Sequence, residues 1–305
     1  MPIVIPKALP AFSILKKENI FVMPRARAIS QDIRPIEIAI VNLMPTKIET
    51  ETQLMRLLGN TSLQVNVTLV TMGSYTGKNT PLEHMERFYK TFDSIKEKHF
   101  DGMIITGAPV ENMDYDEVKY WDELETIMDF ADRNVTSTIY ICWGAQAALH
   151  YYYGIDKIAL DKKLFGVFPY EAEDEYELLL KGMDDVFYIP MSRHTKIDEE
   201  QLRKMKIIKV LASGEEGIAI AKTKDNRKFF FFGHSEYDRD TLKVEYLRDI
   251  SKGKPIDMPA NYFKNGNIDE VMMKWKSTAN LLFYNWLNYY VYQVTPYDIE
   301  SQNNE

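Results

Sequence analysis

The single cysteine of the chain lies at a position suited to nucleophilic chemistry. Cys142 ends an apolar run that predicts a strand and opens a predicted helix, within STIYICWGAQAALHYYYG over residues 137–154. A thiol at the start of a helix meets the positive end of the helix dipole and free backbone amides, which lower its pKa and can hold an oxyanion. A lone cysteine is more often a small buried hydrophobic residue. The nucleophile hypothesis therefore needs a partner base.

The second half of the chain offers such a base in the run KFFFFGHSEYD. His234 follows Gly233 at the end of a predicted strand, and Glu236 lies two residues further on. Residues two apart in an extended segment project to the same side, so Glu236 can orient the imidazole while the ring faces the thiol. The alternative is a histidine on a surface loop. With the cysteine at its strand-to-helix turn, the spacing predicts a triad of Cys142, His234 and Glu236, provided that the fold brings the cysteine and the histidine together.

Composition excludes several other kinds of site and partner. The 305 residues carry a formal net charge of -8, which gives no broad basic surface for nucleic acid. No run reaches the roughly 18 apolar residues of a membrane helix, and MPIVIPK at the start lacks the basic region of a signal peptide; we therefore expect a cytoplasmic protein with no membrane partner. One cysteine cannot form an internal disulfide or a Cys-rich zinc site, and the five histidines show no HExxH spacing. We expect no metal.

The elements that must position these residues predict a doubly wound α/β fold. From Ile36, short apolar runs alternate with amphipathic segments, which is typical of a mostly parallel sheet with helices on both faces. After about residue 160 the pattern becomes richer in strands. Helices are predicted near residues 49–58, 81–98, 115–131, 198–205 and 240–253, and an aromatic helical tail over 268–292 is predicted to pack on the body rather than to form a stacking platform.

Residues 1–35 differ from the rest of the chain. Four prolines precede Pro35, and basic side chains such as Arg25 and Arg27 are scattered among them. This composition predicts an irregular N-terminal arm laid over the body or over a subunit interface. No linker interrupts the remainder of the chain, so residues 36–300 are predicted to form a single catalytic domain.

Several motifs resemble those of known families. Cys142, Gly144 and Gln146 match the Cys-x-Gly-x-Gln pattern of class I glutamine amidotransferase-like proteins. The segments NLMPTKIETETQLMRLLGNTSLQV (42–65), TGAPVE (106–111), CWGAQAAL, SRH and GHSEYD together resemble the homoserine O-acetyltransferase/O-succinyltransferase (MetA) family over nearly the whole chain. The resemblance implies an amidotransferase-like fold, a homodimer, no prosthetic group, and homoserine and acyl-CoA as substrates in methionine biosynthesis.

The resemblance also implies a ping-pong reaction. Cys142 attacks the acyl-CoA thioester, CoA leaves, and His234 then deprotonates the homoserine hydroxyl so that it attacks the acyl-enzyme. The amide of Trp143 and an amide of the TGAP loop are the expected oxyanion donors. Lys47, in the matching NLMPTK motif, is a candidate for a supporting cation near that site; a solvated lysine between a strand and a helix is the alternative.

Three further positions match residues that contact substrate in the family. Arg248, on the helix after the triad segment, is the candidate for the homoserine carboxylate, because an arginine fork suits a carboxylate. Lys163 in KKLFG and Ser192 in PMSRH match the other substrate-contacting positions. Without the resemblance, each of the three would be read as a surface side chain.

Glu111 bears on the choice of acyl donor. Family members with glycine at this position resemble succinyl-CoA users, whereas glutamate goes with acetyl-CoA, so the resemblance implies acetyl transfer by this chain. A carboxylate about 4 Å from the second carboxylate of a succinyl group would cost on the order of 4 kcal/mol at an effective dielectric near 20. The alternatives are that Glu111 is a solvated residue near a helix start and that the donor is succinyl-CoA.

Two other functions are compatible with the same triad. A glutamine amidotransferase or a cysteine peptidase could use it, although NLMPTKIETE has no counterpart in amidotransferases. A non-catalytic binding protein that kept the fold is the second alternative, and the intact triad argues against it.

Overall fold

A twelve-stranded sheet runs through the computed structural model, which describes residues 3–24, 28, 34–74 and 79–295. Its strands lie in the order β2-β1-β4-β3-β6-β7-β12-β11-β10-β8-β9, and β5 pairs with β4 off this path. In chain order the strands are β1 Ile3–Val4, β2 Val22–Met23, β3 Ile36–Val41, β4 Val65–Thr71, β5 Tyr89–Thr91, β6 Phe100–Ile105, β7 Val135–Ile141, β8 Lys157–Ala172, β9 Val186–Ile197, β10 Ile208–Gly214, β11 Gly217–Thr223 and β12 Lys228–Phe231.

The sheet has a parallel half and an antiparallel half. Every described pairing from β2 across to β12 is parallel, whereas β12, β11, β10, β8 and β9 pair antiparallel. On β3, Ile38 and Ile40 join one apolar cluster while Ala39 and Val41 join the other. Successive strand residues point to opposite faces, so both faces of the sheet are covered. The predicted doubly wound, mostly parallel α/β class is confirmed.

The helices pack on both faces of this sheet. None of those in the described ranges combines the length and apolar character needed to span a bilayer. A π-helical segment, Trp286–Tyr292, continues directly from the last α-helix. The α-helices are α1 Pro10–Lys17, α2 Lys47–Leu58, α3 Leu82–Phe88, α4 Trp121–Asn134, α5 Trp143–Tyr153, α6 Glu199–Lys204, α7 Thr241–Ser251 and α8 Lys276–Asn285.

The N-terminal segment differs from the predicted irregular arm. Its described part contains β1, α1 and β2, and β1 pairs in parallel with the body strand β4, with Ile3 in register with Val65. Leu15 of α1 is fully buried. Strands as short as β1 become regular here because the neighbouring strand supplies backbone partners. Arg25 and Arg27 lie outside the described residues.

The helix predicted over residues 81–98 is wrong in its second half. Helix α3 ends at Phe88, the next three residues form β5 in register with β4, and a 3-10 turn follows at Phe92–Ser94. The helix predicted over 115–131 begins later, at Trp121, after a separate 3-10 turn at Tyr115–Glu117.

The aromatic tail packs into the body as predicted. Trp275, Phe283 and Trp286 are fully buried, and Tyr290 is nearly so. The Trp286 indole donates a hydrogen bond of 2.9 Å to the Ser137 hydroxyl on β7. The tail therefore covers one face of the parallel strands, including β7, which ends at Ile141 just before Cys142.

Candidate active site

The carboxyl ends of four neighbouring parallel strands bring the chemically interesting residues together. Asn42 follows β3, Gly107 lies two residues after β6, Cys142 follows β7 and His234 lies three residues after β12. The chain passes from β3 outward to β4 and then returns to β6 on the other side of β3. Such a switch point opens a crevice at the strand ends, where open α/β sheets bind their ligands.

Cys142 occupies a strained turn between β7 and α5. Its φ is 50° and its ψ is -115°, a conformation that non-glycine residues rarely adopt. The close packing around it requires glycine at position 144, where a Cβ would lie 2.7 Å from the Thr106 carbonyl oxygen. Position 107 is also tight, because a Cβ on Gly107 would lie 3.3 Å from the Cβ of Cys142. The turn thus holds the thiol directly against the loop that follows β6.

The three residues of the predicted triad meet. His234 is hydrogen-bonded to the side chain of Cys142, and its Nδ1 lies 2.6 Å from Oε1 of Glu236. The imidazole also stacks on the Tyr237 ring, with 4.2 Å between centroids. Burial disfavours the charged ring, but the Cys142 side chain and the Glu236 carboxylate outweigh burial, so the pKa of His234 lies well above its ordinary value. A protonated imidazole beside a thiol is an arrangement that activates a cysteine nucleophile.

Two main-chain amides flank the nucleophile. Those of Trp143 and Gly107 donate no hydrogen bond to other groups in the described part of the chain. The Trp143 side chain is buried, and its ring lies 6.2 Å from the ring of Tyr115 and 6.5 Å from that of Trp121. Trp143 can therefore contact a ligand at Cys142 through its main-chain amide and not through its side chain. The oxyanion prediction requires that amide to be free.

A cavity of about 1200 Å³ opens in front of Cys142. Lys163 from β8, Ser192 from β9 and Arg248 from α7 all line it together with the cysteine. The structure thus brings the three predicted substrate-contacting residues into one space with the nucleophile. Their individual roles stay predictions.

The carboxylates that contact these three side chains are not among the residues predicted from the sequence. Glu245 accepts hydrogen bonds from the Ser192 hydroxyl (2.6 Å) and the Tyr237 hydroxyl (2.9 Å), and the Lys163 ammonium lies 3.6 Å from it. Asp249 pairs with Arg248 Nε at 2.9 Å. Both carboxylates lie on the helix of Arg248, three residues before it and one after it. That spacing on α7 is the signal that could have found them.

Glu111 also lines the cavity. Its Oε2 accepts a hydrogen bond of 2.9 Å from the main-chain amide of His194 on β9. The carboxylate is therefore held in place in the same space as Cys142, which is the position that a group selecting the acyl donor must take.

Lys47 does not lie among the described residues that line the cavity. Its side chain is only 7% exposed, so the solvated-lysine alternative is wrong, and its ammonium donates a hydrogen bond to the main-chain oxygen of Asn42. Burial lowers the pKa of Lys47 to about 8, while the nearby Glu51 opposes that change. The next residue after Asn42 is Leu43, and its amide donates a hydrogen bond of 2.8 Å to the Thr106 hydroxyl. Through Asn42 and Leu43, Lys47 therefore supports the loop that contains Thr106 and Gly107.

The other histidines are placed differently from His234. His84 pairs with the fully buried Glu51, with 3.1 Å between Nε2 and Oε1, and His150 Nδ1 lies 2.6 Å from Asp156. Within the described ranges, no group of three or more His, Cys, Asp or Glu side chains is arranged to hold a metal ion.

The chain is similar to known proteins over nearly its whole length. A family model described as "HTS: Homoserine O-succinyltransferase" matches residues 2–297. A Clostridium novyi protein named homoserine O-acetyltransferase is 57% identical over 300 residues, which is 98% of this chain and 99% of that protein. One from Acetivibrio thermocellus with the same name is 54% identical over 303 residues, 99% of each chain. A solved glutamine amidotransferase from Thermotoga maritima has a TM-score of 0.58 at 10% identity, covering 83% of this chain and 97% of that one, a likeness of fold alone.

Proposed function

Since the chain belongs to the homoserine O-succinyltransferase family, we propose that it is a homoserine O-acetyltransferase, which passes an acetyl group from acetyl-CoA through Cys142 to the hydroxyl of L-homoserine. The observation that carries this proposal is the hydrogen-bonded set of Cys142, His234 and Glu236 at the strained strand-to-helix turn. The full-length similarity to homoserine O-acetyltransferases supports the choice of substrates.

The first half-reaction forms a thioester on the enzyme. The Cys142 sulfur attacks the carbonyl carbon of acetyl-CoA, and its proton resides on His234. The carbonyl oxygen becomes an oxyanion that the amides of Trp143 and Gly107 stabilise. When the bond to the CoA sulfur breaks, the protonated His234 gives its proton to the departing thiolate, so CoA leaves as a thiol.

The second half-reaction uses the same groups in reverse. His234, oriented by Glu236, takes the proton of the homoserine hydroxyl while the oxygen attacks the thioester carbon. The bond to the Cys142 sulfur breaks, and O-acetylhomoserine forms. The acceptor is a zwitterion, so Arg248 binds its carboxylate and Glu245 its ammonium. Lys163 and Ser192 keep Glu245 in place through their ion pair and hydrogen bond to its carboxylate.

The remaining predictions belong to the same proposal. The enzyme needs no prosthetic group or metal, works in the cytoplasm and forms a homodimer. Sedimentation velocity of the purified protein tests the dimer, since a single species with the mass of one chain would contradict it.

The covalent intermediate provides the test. Intact-mass measurement of the protein mixed with acetyl-CoA alone is expected to give one acetyl adduct on Cys142, which hydroxylamine removes as it does any thioester. Cys142→Ser is expected to give no adduct, because a serine hydroxyl at this site does not form the anion that attacks. An adduct that persists on another residue would show that the nucleophile is misassigned. Glutaminase activity in place of acylation would favour the amidotransferase alternative.

A further inference from the structure

A second cavity lies on the antiparallel half of the molecule. It encloses about 490 Å³ between the β8–β9 hairpin and the turn that joins β10 to β11. Its wall includes Lys162, Arg193 and Lys196 on one side and Glu216 and Gly217 of the turn on the other. This volume lies in the range of small-molecule sites in proteins.

Arg193 in this wall is buried without a counter-ion. The residue is 1% exposed, and no carboxylate of the described residues lies within ion-pair distance of its guanidinium. It makes one hydrogen bond, from Nη2 to the main-chain oxygen of Glu216 at 3.3 Å, and its Nε has no partner. A buried charge with one weak hydrogen bond is costly, so proteins retain it where something else satisfies it.

The acidic groups around the cavity do not neutralise Arg193. Asp161, Glu199, Glu215 and Glu216 also contribute to the wall, and Glu199 accepts a hydrogen bond of 3.1 Å from the amide of Ile218. Lys196, partly exposed, has neither a hydrogen bond nor an ion pair from its ammonium in the described part of the chain. Arg193, through its Nε, and Lys196, through its ammonium, thus both bring an unpaired donor to the wall of this cavity in the described part of the chain.

A second buried group without a partner lies close to Arg193. The Tyr170 hydroxyl is buried and makes no hydrogen bond. Burial raises the pKa of that phenol, and the nearby Arg193 charge opposes the change. The Tyr170 ring lies beneath Gly214 of the cavity wall, where a Cβ would meet its Cδ1 at 3.1 Å. An unpaired phenol thus lies beside the wall that contains Arg193.

Strand β9 links this cavity to the active site. Ser192 and Arg193 are neighbours on β9, in register with Phe165 and Leu164 of β8. Ser192 lines the catalytic cavity and Arg193 lines the second one. Lys163 forms part of the wall of both cavities.

We propose that the second cavity binds a phosphate group of an organic ligand, held by Arg193 and Lys196. The guanidinium fork and a neighbouring ammonium suit a phosphate, and the volume leaves room for more than a free ion. Two sources share this chemistry: the nucleotide end of the acyl-CoA donor, which rests on the proposed function, and a separate phosphorylated molecule. The common wall at Lys163 favours the donor.

Calorimetric titration with adenosine 3′,5′-bisphosphate and with inorganic phosphate tests the site without any turnover. We expect the nucleotide to bind and Lys196→Gln and Arg193→Met each to weaken it about tenfold or more, as loss of a charge-assisted hydrogen bond does. Lys206→Gln, an exposed lysine outside both cavities, is the matched control and should bind as the wild type does. Because methionine resembles arginine in volume, Arg193→Met is expected to fold; if it does not, Lys196→Gln decides.

Acylation of Cys142 separates the two sources. If the donor's nucleotide occupies the cavity, Lys196→Gln raises the KM for acetyl-CoA about tenfold and leaves kcat unchanged. If only a separate phosphate binds, the KM for acetyl-CoA stays constant while inorganic phosphate binding still falls. Failure of both probes to bind the wild type, or binding that neither substitution changes, overturns the proposal. Absence of a Cys142 adduct with intact nucleotide binding would instead count against the acyl transfer.

Discussion

At the scale of single residues, the protonation of His234 depends on its two charged neighbours. Burial opposes the imidazolium, and only the Cys142 side chain and the Glu236 carboxylate raise its pKa above the ordinary value. A histidine whose pKa is raised keeps its proton at low pH and loses it as the pH rises through the folded-state pKa. The working range of the pair should therefore end at a pH that Glu236 sets.

Glu236→Gln is expected to lower that limit. Without the carboxylate, the pKa of His234 falls, so the protonated pair is lost at a lower pH and acylation slows on the order of 10²-fold at neutral pH. Release of CoA from acetyl-CoA, followed across pH without homoserine, measures the effect. Glu200→Gln, an exposed glutamate on α6, serves as the control. An upper pH limit equal to that of the wild type would show that Glu236 does not set the pKa.

Glu111 permits an equally direct test of donor choice. Its carboxylate is held by the His194 amide in the catalytic cavity, where a succinyl group would bring a second negative charge. At about 4 Å the repulsion is on the order of 4 kcal/mol, or roughly a thousandfold. Glu111→Gly should therefore shift the ratio of kcat/KM for acetyl-CoA and succinyl-CoA toward succinyl-CoA. A wild type that prefers succinyl-CoA, or a ratio that the substitution leaves unchanged, would refute acetyl specificity.

The residues found from the sequence alone are those whose signal is local. Cys142 was identifiable because the strand, the turn and Gly144 are contiguous, and Glu236 because it lies two residues from His234. The only local signal for Glu245 is its spacing of three residues from Arg248, since its partner Ser192 lies 53 residues away on another element. Lys47 was recognised by its motif, but its burial behind the loop depends on how α2 packs.

At the scale of elements, α7 carries most of the acceptor side of the cavity. Glu245, Arg248 and Asp249 lie within one turn, so they project toward the same region. The helix follows the triad segment almost at once, which ties the position of the acceptor groups to that of His234.

Arg248→Ala is expected to separate the two half-reactions. Its side chain pairs with Asp249 and is half exposed, so its loss should leave the fold and the acylation of Cys142 nearly unchanged. Transfer to homoserine should fall by about tenfold or more in kcat/KM, because a charge-assisted bond to the carboxylate is lost. Lys243→Ala, on the same helix and paired with Asp269, is the matched control. If acylation falls as steeply as transfer, Arg248 serves the fold or the donor instead.

Elements with a strong internal pattern were predicted better than those that depend on a neighbour. Helix α2, predicted over 49–58, ends before Gly59 as expected. Residues 89–91 form β5 instead of helix because β4 offers them a parallel partner, and β1 is regular for the same reason. Such pairings join residues that are distant in sequence, so a local pattern does not reveal them.

At the scale of the whole molecule, the two halves of the sheet divide the work. The parallel half supplies Cys142 and the loop with Gly107, whereas the antiparallel strands and α7 supply Ser192 and Glu245. The catalytic cavity lies where the two halves meet. The geometry of the site therefore depends on the stability of the whole fold. Buried charges near the site affect that stability.

Lys47 is the buried charge whose cost can be measured. Its pKa falls from 10.5 to about 8, chiefly through burial, so below pH 8 the folded protein carries a charge that the unfolded chain holds more easily. That difference corresponds to about 3 kcal/mol of lost stability at pH 7. Between pH 8 and 10.5 the unfolded chain binds more protons than the folded one, so this cost disappears as the pH rises.

Lys47→Met is accordingly expected to stabilise the protein at pH 7. The gain of up to about 3 kcal/mol is reduced by about 1 kcal/mol, because the hydrogen bond to the Asn42 carbonyl is lost. Urea unfolding at pH 7, 8, 9 and 10 measures the difference, which should shrink steadily above pH 8, while Lys224→Met, at an exposed lysine, should follow the wild type throughout. A Lys47→Met protein that is less stable than the wild type at pH 7, by an amount that does not change with pH, would show that the ammonium stabilises the fold and that burial does not control its protonation.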